Sequence, residues 1–477
     1  MKSEEFKLDE GDCRTLNAGY GCPAYRRPNA GEMWWREVVR HPAVWVVVAL
    51  ALNVFEGAAR KWVAGFEEGG GRLLAYFSKD LVFGMVVLWL VGKPVIEGGA
   101  REVFETWRMR GLALILVGAV MSFFEEFNVV GSALSLRALV VLPWCAGVYA
   151  GRVRSFPLLG FAVVVVFLAV INLVLGLVQN GLPGDDVLNR YAMGEVDAVR
   201  VEEGVRATGM FAYITGMGVM SAAGVWAGLV VASLGRGWGY VWVGACGILA
   251  GVGCGFASMS RGPVVTAAAM LVLWVASSVA AAKLALRMGV IGVVMLVWVV
   301  VVWPGAGERL GLVGAGTVGR FWSAGDDNVE RAVGQWGEMA EAVRRHPWGL
   351  GPGTEQVGGN FAAGMGMGLR SYESQLPRIV AEFGVLGLAG FFVLVGGTVW
   401  SLEVARAEGS GAGWGLAMRA TQVFVLGQAY GNLVFNHTAS GFVWLVVAGA
   451  LAGTRLRGVH SVAQARQSPK VLNCTRP

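Results

Sequence analysis

RRHPWGLGPGTEQVGGNFAAGMGMGLRSYESQLPRIVAEFGVLGLAGF, residues 344–391, carries a polar, glycine-rich loop straight into an apolar helix. Pro347, Gly349, Gly351, Pro352 and Gly353 stop any helix arriving from upstream, because proline lacks an amide donor and glycine loses the most freedom on ordering. From Leu376 onward, apart from Arg378 and Glu382, the residues stay apolar for about 20 positions, enough to cross a bilayer. The junction between loop and helix is the candidate active site, and the rest of the chain reads as a membrane scaffold that holds it. Upstream, Asp327 or Asn328 caps a predicted helix. In that helix Val329, Val333, Trp336, Met339 and Val343 share one face, and Glu341 pairs with Arg345 at i,i+4 on another. Such a helix lies along the membrane surface or covers the bundle.

Apolar blocks of the same length recur throughout. Of 477 residues, 55% are hydrophobic and 15% charged, too apolar for a soluble protein, so the expected fold class is all-α integral membrane. Candidate spans fall at 43–59, 80–97, 111–128, 133–151, 157–179, 209–233, 238–258, 263–282, 287–303, 376–400, 418–435 and 439–454, about 12 transmembrane helices. The division that follows is a cytoplasmic tail 1–42, a block 43–303 with nine helices and an outer loop 180–208, and a large periplasmic loop domain 304–375 between the ninth and tenth helices. Three further helices occupy 376–454, and 455–477 form a second cytoplasmic tail.

The net charge of +6 does not indicate nucleic acid. With the N-terminus in the cytoplasm, Lys93, Arg101, Arg108, Arg110, Arg152, Arg154, Arg236, Lys283, Arg287, Arg406 and the tail from Arg455 all fall on the cytoplasmic side, and every even-numbered connection is basic. Both termini are then cytoplasmic. No apolar stretch follows Met1, so the first span serves as its own export signal. The six cysteines lie in apolar blocks or tails without metal-ligand spacing, and no disulfide framework is expected. The glycines, 72 in all, read as small residues that let spans pack closely.

A set of cations falls on the opposite side, where they are disfavoured: Arg60, Lys61, Arg206, Arg261, Arg320, Arg370 and Arg378. Arg378 lies just inside a span and shares a face with Glu382, so it is either half of a structural pair or a residue with a function. Arg60, Arg206, Arg261 and Arg370 lie at span edges, where each alone would snorkel to lipid phosphate. Several converging would form a phosphate clamp, since guanidinium forks bind phosphoryl oxygens through two hydrogen bonds.

Phe55–Trp62 (FEGAARKW), Lys79-Asp80, Arg206–Phe211 (RATGMF), Ser260-Arg261-Gly262, Gly349–Thr354 (GLGPGT) and Glu373–Gly387 (ESQLPRIVAEFGVLG) occur in this order. Taken together, over roughly residues 50–450, they resemble the O-antigen ligase and polymerase superfamily. The resemblance implies a polytopic, inverting, metal-independent inner-membrane glycosyltransferase of GT-C-like fold. Such enzymes move glycan from undecaprenyl pyrophosphate to an acceptor glycan or glycolipid at the periplasmic face. It also implies that Arg206, Arg261 and Arg378 hold the pyrophosphate; Arg370, Arg60 and Lys61, from the set of outer cations, are further candidates for the same clamp. Where typical ligases carry a His-Asn pair, this chain has Tyr372 and Glu373. The likeness is therefore to the branch linked with exopolysaccharide or capsule assembly.

The chemistry needs one base for the acceptor hydroxyl and a positive cradle for the leaving diphosphate. Glu373 is the candidate base, although the arginines around it also favour its ionised form, and binding a sugar hydroxyl or pairing with an arginine are alternative roles. His437, in the loop 436–440, is the second candidate. His346 suits a helix end. The pairs Asp185-Asp186 and Asp326-Asp327 read as turns and caps, so neither a metal nor another cofactor is expected. Trp322, Trp336, Trp348 and Tyr372 are candidates for stacking on sugars or anchoring at the interface. Two rival functions stand: a transporter or flippase for the same lipid-linked oligosaccharide, and a non-catalytic partner of polysaccharide assembly proteins. Charges at mid-membrane and interrupted helices would favour transport.

Overall fold

His41 starts the first helix: its Nδ1 accepts from the amide of Ala43 at 3.2 Å and Pro42 occupies the first turn. The computed structural model describes residues 41–63, 69–122, 129–153, 155–190, 200–201, 204–289, 325–354, 375–409, 411–431 and 437–454. They form α1 (Pro42–Trp62), α2 (Gly69–Val91), α3 (Gly99–Ser122) and α4 (Val129–Leu136). A π-helical turn, Arg137–Val141, joins α4 to α5 (Leu142–Arg152). Then come α6 (Leu158–Asn180), a short hairpin of β1 (Arg200–Val201) and β2 (Gly204–Val205), α7 (Ile214–Leu234), α8 (Trp238–Ala257), α9 (Arg261–Ala276) and a helical stretch α10 (279–289). The last are α11 (Gly325–Arg345), α12 (Gln375–Glu408), α13 (Ala412–Gly431) and α14 (His437–Ala452).

The bundle closes around α7, which is buried without interruption from Gly216 to Ala232, as expected of a helix that is apolar on every side. It packs against α6, α8, α9 and α13. Its Trp226 stands between Phe161 and Phe424, with ring centres 6.1 and 5.8 Å away, and donates to Thr421 Oγ1 at 3.0 Å. Small residues set the closest approaches. A Cβ on Gly224 of α7 would lie 2.9 Å from Gly251 Cα of α8, and one on Gly118 of α3 would lie 2.5 Å from the Phe383 carbonyl of α12. Such contacts hold helices together in lipid, where water supplies no driving force between spans.

Among the described residues, seven segments are long and apolar enough to cross a membrane: 42–62, 74–91, 131–152, 158–180, 214–234, 238–257 and 375–408. Apolar helices at 262–276 and 438–452 are shorter. The described fold is thus helical apart from the short β1–β2 hairpin and membrane-embedded, with seven candidate full-length spans among the described residues against about twelve expected for the whole chain. Most of the ninth predicted span, 290–303, and much of the loop domain 304–375 lie outside the described residues. So do residues 1–40 and 455–477 of the expected tails.

Two helices start earlier than the sequence predicts. The second begins at Gly69, not 80, so Lys79 and Asp80 sit inside it. The third begins at Gly99, not 111, and Arg101, Arg108 and Arg110 are helical. Charged residues read as loop here because membrane interiors exclude them, but Lys79, Asp80 and Arg108 are paired. Arg101 donates to the carbonyls of Leu451, Ala452 and Thr454 at 3.3, 3.1 and 3.2 Å, closing the C-terminal end of α14. Of the face expected for the helix α11, Met339 and Val343 pack on the core beside Ala342, whereas Trp336 is 49% exposed.

The stretch 344–391 folds back on itself. α12 is interrupted at Gly384, whose φ is +65°, and the segment after α11 plugs the gap. The Val385 amide donates to Pro347 O at 2.9 Å and the Leu350 amide to Ala381 O at 2.6 Å, so the backbone groups freed by the break find partners in this loop. Further on, Ser132 Oγ of α4 donates to Pro352 O at 2.6 Å. The glycine-rich loop thereby ties α12 to the start of α4.

Candidate functional site

One turn separates Glu56 from Arg60 near the end of α1, and Arg60 Nη1 lies 2.9 Å from Glu56 Oε1. The other oxygen of Glu56 receives Lys79 of α2. The next residue, Asp80, takes both sides of the Arg137 fork: Nε reaches Oδ2 at 2.8 Å and Nη2 reaches Oδ1 at 2.7 Å. Three cations surround the ring of Tyr76, with Arg60 Cζ, Lys79 Nζ and Arg137 Cζ at 5.6, 4.8 and 6.0 Å from its centre. Arg137 opens the π-helical turn, a distortion that recurs at functional positions in helices. Glu56, Arg60, Lys79 and Arg137 are all buried, so each charge depends on these partners for its solvation.

Lys61 extends the network to the RATGMF segment. Its buried ammonium donates to Thr208 Oγ1 at 2.9 Å and to Gly209 O at 2.8 Å. No carboxylate among the described residues pairs with it. The same loop is held from α6. Gln179 Oε1 accepts from the amides of Thr208 and Gly209 at 3.1 and 2.8 Å, and Asn172 Oδ1 accepts from Met210 at 2.9 Å. Gly209 has a φ of +57°, and a Cβ there would lie 2.4 Å from Asn172 Oδ1, so glycine is required both for its backbone and for the space it leaves. On the far side Asn180 Nδ2 donates to Val205 O and Ala257 O at 3.1 and 3.2 Å, and the Ala207 amide donates to the same Ala257 carbonyl at 3.1 Å.

Arg60 and Lys61 are therefore internal ties and not residues snorkelling toward lipid. Arg206 is half-buried between the two clamped residues Val205 and Ala207. Arg261 opens α9, four residues after Ala257, which places its backbone beside this loop. Arg378 lies in the first turn of α12 and is half-buried, three residues after Gln375, whose side chain donates to Ala429 O of α13. Gly427 of α13 in turn meets Thr266 of α9. These contacts put the starts of α9 and α12 at one end of the bundle. His437 opens α14, and the neighbouring Thr438 carbonyl accepts from Asn53 Nδ2 of α1 at 3.2 Å. Glu373, Arg370, Tyr372, Arg320 and Trp322 lie outside the described residues. His346 follows the end of α11, its amide donating to Ala342 O at 2.8 Å, and Asp186 caps a short turn through the Leu188 amide at 2.8 Å.

Tyr76, Asn172, Gln179 and Asn180 were not singled out from sequence. The signal available was the isolated amides in the otherwise apolar run LLGFAVVVVFLAVINLVLGLVQN, where a polar side chain needs a partner. Comparison with protein-family models, with curated proteins and with solved structures finds no match for this chain.

Proposed function

We propose that this chain is a membrane glycosyltransferase that transfers or polymerises glycan from a polyprenyl-pyrophosphate donor at the outer face of a bacterial inner membrane. One observation carries the reading: among the described residues three buried cations, Arg60, Lys79 and Arg137, share two carboxylates, Glu56 and Asp80, while the buried Lys61 beside them has no carboxylate partner and bonds directly to the Arg206 loop. Buried positive charge in excess favours an anionic ligand nearby, and guanidinium groups suit a diphosphate by charge and by shape. In this reading the lipid tail lies between helices, Arg206, Arg261 and Arg378 meet the diphosphate, and Glu373 or His437 takes the proton of the acceptor hydroxyl. Exopolysaccharide, capsule or O-antigen assembly is the setting.

Replacing Arg206, Arg261 or Arg378 by Ala is expected to slow transfer by about a hundredfold or more, the usual cost of removing one charge-stabilising group. In cells this reads as short or absent polymer with accumulated lipid-linked intermediates. Normal polymer from all three variants would overturn the proposal. A second reading, transport of the same lipid, draws on the interruption of α12 and the charges buried among α1, α2 and the π-helical turn. Elongation of a lipid-linked repeat by purified protein without any gradient separates the two.

A further inference from the structure

We infer that Asn180 is a positioning residue that fixes the spacing between the segments bearing Arg206 and Arg261. The inference rests on the glycosyltransferase reading above and adds to it the element that aligns two of its diphosphate ligands. Asn180 is the last residue of α6, and its single amide nitrogen bridges two carbonyls from different parts of the chain, Val205 O at 3.1 Å and Ala257 O at 3.2 Å. Val205 immediately precedes Arg206. Ala257 ends α8, and its carbonyl also receives the Ala207 amide at 3.1 Å, so both neighbours of Arg206 are held to one point.

From that point to Arg261 the path is stiff. The Ser258 amide donates to Cys254 O at 3.0 Å and the Met259 amide to Phe256 O at 2.9 Å. Met259 is buried with a φ of +48°, a left-handed conformation that a non-glycine residue keeps only where its surroundings hold it. A displacement of Asn180 is therefore passed to both arginine-bearing segments together. Two guanidinium groups grip one diphosphate only at a matched separation, so the amide acts on binding of the donor through Arg206 and Arg261 without touching it.

The test uses the purified full chain and a synthetic polyprenyl-pyrophosphate-linked repeat unit. Asn180→Leu keeps the branching and the number of side-chain heavy atoms and removes the donor; it is expected to raise KM for the lipid-linked unit about tenfold and to leave kcat within about threefold. In an Arg206→Ala background the same change is expected to add nothing, because a spacing matched between two arginines has no effect once one of them is gone. An unchanged KM, or additive losses in the double variant, would overturn the inference. Should Asn180→Leu fail to fold, Asn180→Ser, whose short hydroxyl cannot span both carbonyls, takes its place. Amide hydrogen exchange supplies a readout independent of activity: segments 205–211 and 257–261 are expected to exchange faster together in the variant, and protection unchanged in either would overturn the tie. A wild-type protein that elongates nothing defeats the glycosyltransferase reading, whereas joint exchange still decides whether Asn180 couples the two segments.

Discussion

Glu56 joins the buried network at its narrowest point. It is the carboxylate shared by Arg60 and Lys79, from α1 and α2, and both of those cations are buried. Removing a buried partner leaves charges that neither water nor protein solvates, so Glu56→Gln is expected to cost about 3–5 kcal/mol of stability. Glu341 and Arg345 form the opposite case, an ion pair with both side chains more than 40% exposed. Glu341→Gln is expected to cost less than about 1 kcal/mol. Thermal or denaturant unfolding of both variants in one detergent checks the contrast, and equal losses would mean that the Glu56 network carries no special stability. Lys61 belongs to the same logic at one remove: its ammonium is the direct bond between FEGAARKW and RATGMF, two motifs far apart in sequence.

The break in α12 is held by geometry, not by flexibility. Gly384 has a φ of +65°, and a Cβ there would lie 2.5 Å from the Trp348 carbonyl carbon and 2.6 Å from Pro347 O. Gly384→Ala is therefore expected to cost about 2–4 kcal/mol, combining left-handed strain with a clash against backbone. Gly396, twelve residues on in the same helix, has nothing within 4 Å of its Cβ position. Gly396→Ala is expected to be neutral or to stabilise by up to about 1 kcal/mol, as in any open helical site. Unfolding midpoints that fall equally for both would contradict the account of the break. The stop signal at Pro347–Gly353 was legible in sequence, because proline and glycine act locally. The interruption at Gly384 was not: glycines are common in these spans, and this one is distinguished only by the Pro347 carbonyl that returns to it. Lys79 and Asp80 illustrate the same limit. Their charges marked a helix edge from sequence, and what keeps them inside α2 is Glu56 and Arg137, partners that no local window contains.

At the scale of the whole molecule, apolar length and periodicity made the helical membrane class legible, and the positions of α1, α6, α7 and α8 follow the predicted spans to within about five residues at each end. The convergence of motifs was legible only as an order along the chain. Its physical form is a set of backbone and side-chain bonds joining the ends of α1, α6 and α8 to the Arg206 loop at one end of the bundle. Among the described residues, these bonds and the three buried cations that share Glu56 and Asp80 are the arrangement on which the proposed site draws. The most direct measurement is elongation of a synthetic polyprenyl-pyrophosphate-linked repeat unit by the purified protein, with no gradient and no partner. The account predicts lengthened product from the wild type and its loss in the Arg206→Ala, Arg261→Ala and Arg378→Ala variants; no elongation from folded wild-type protein, or undiminished elongation from all three variants, would contradict it.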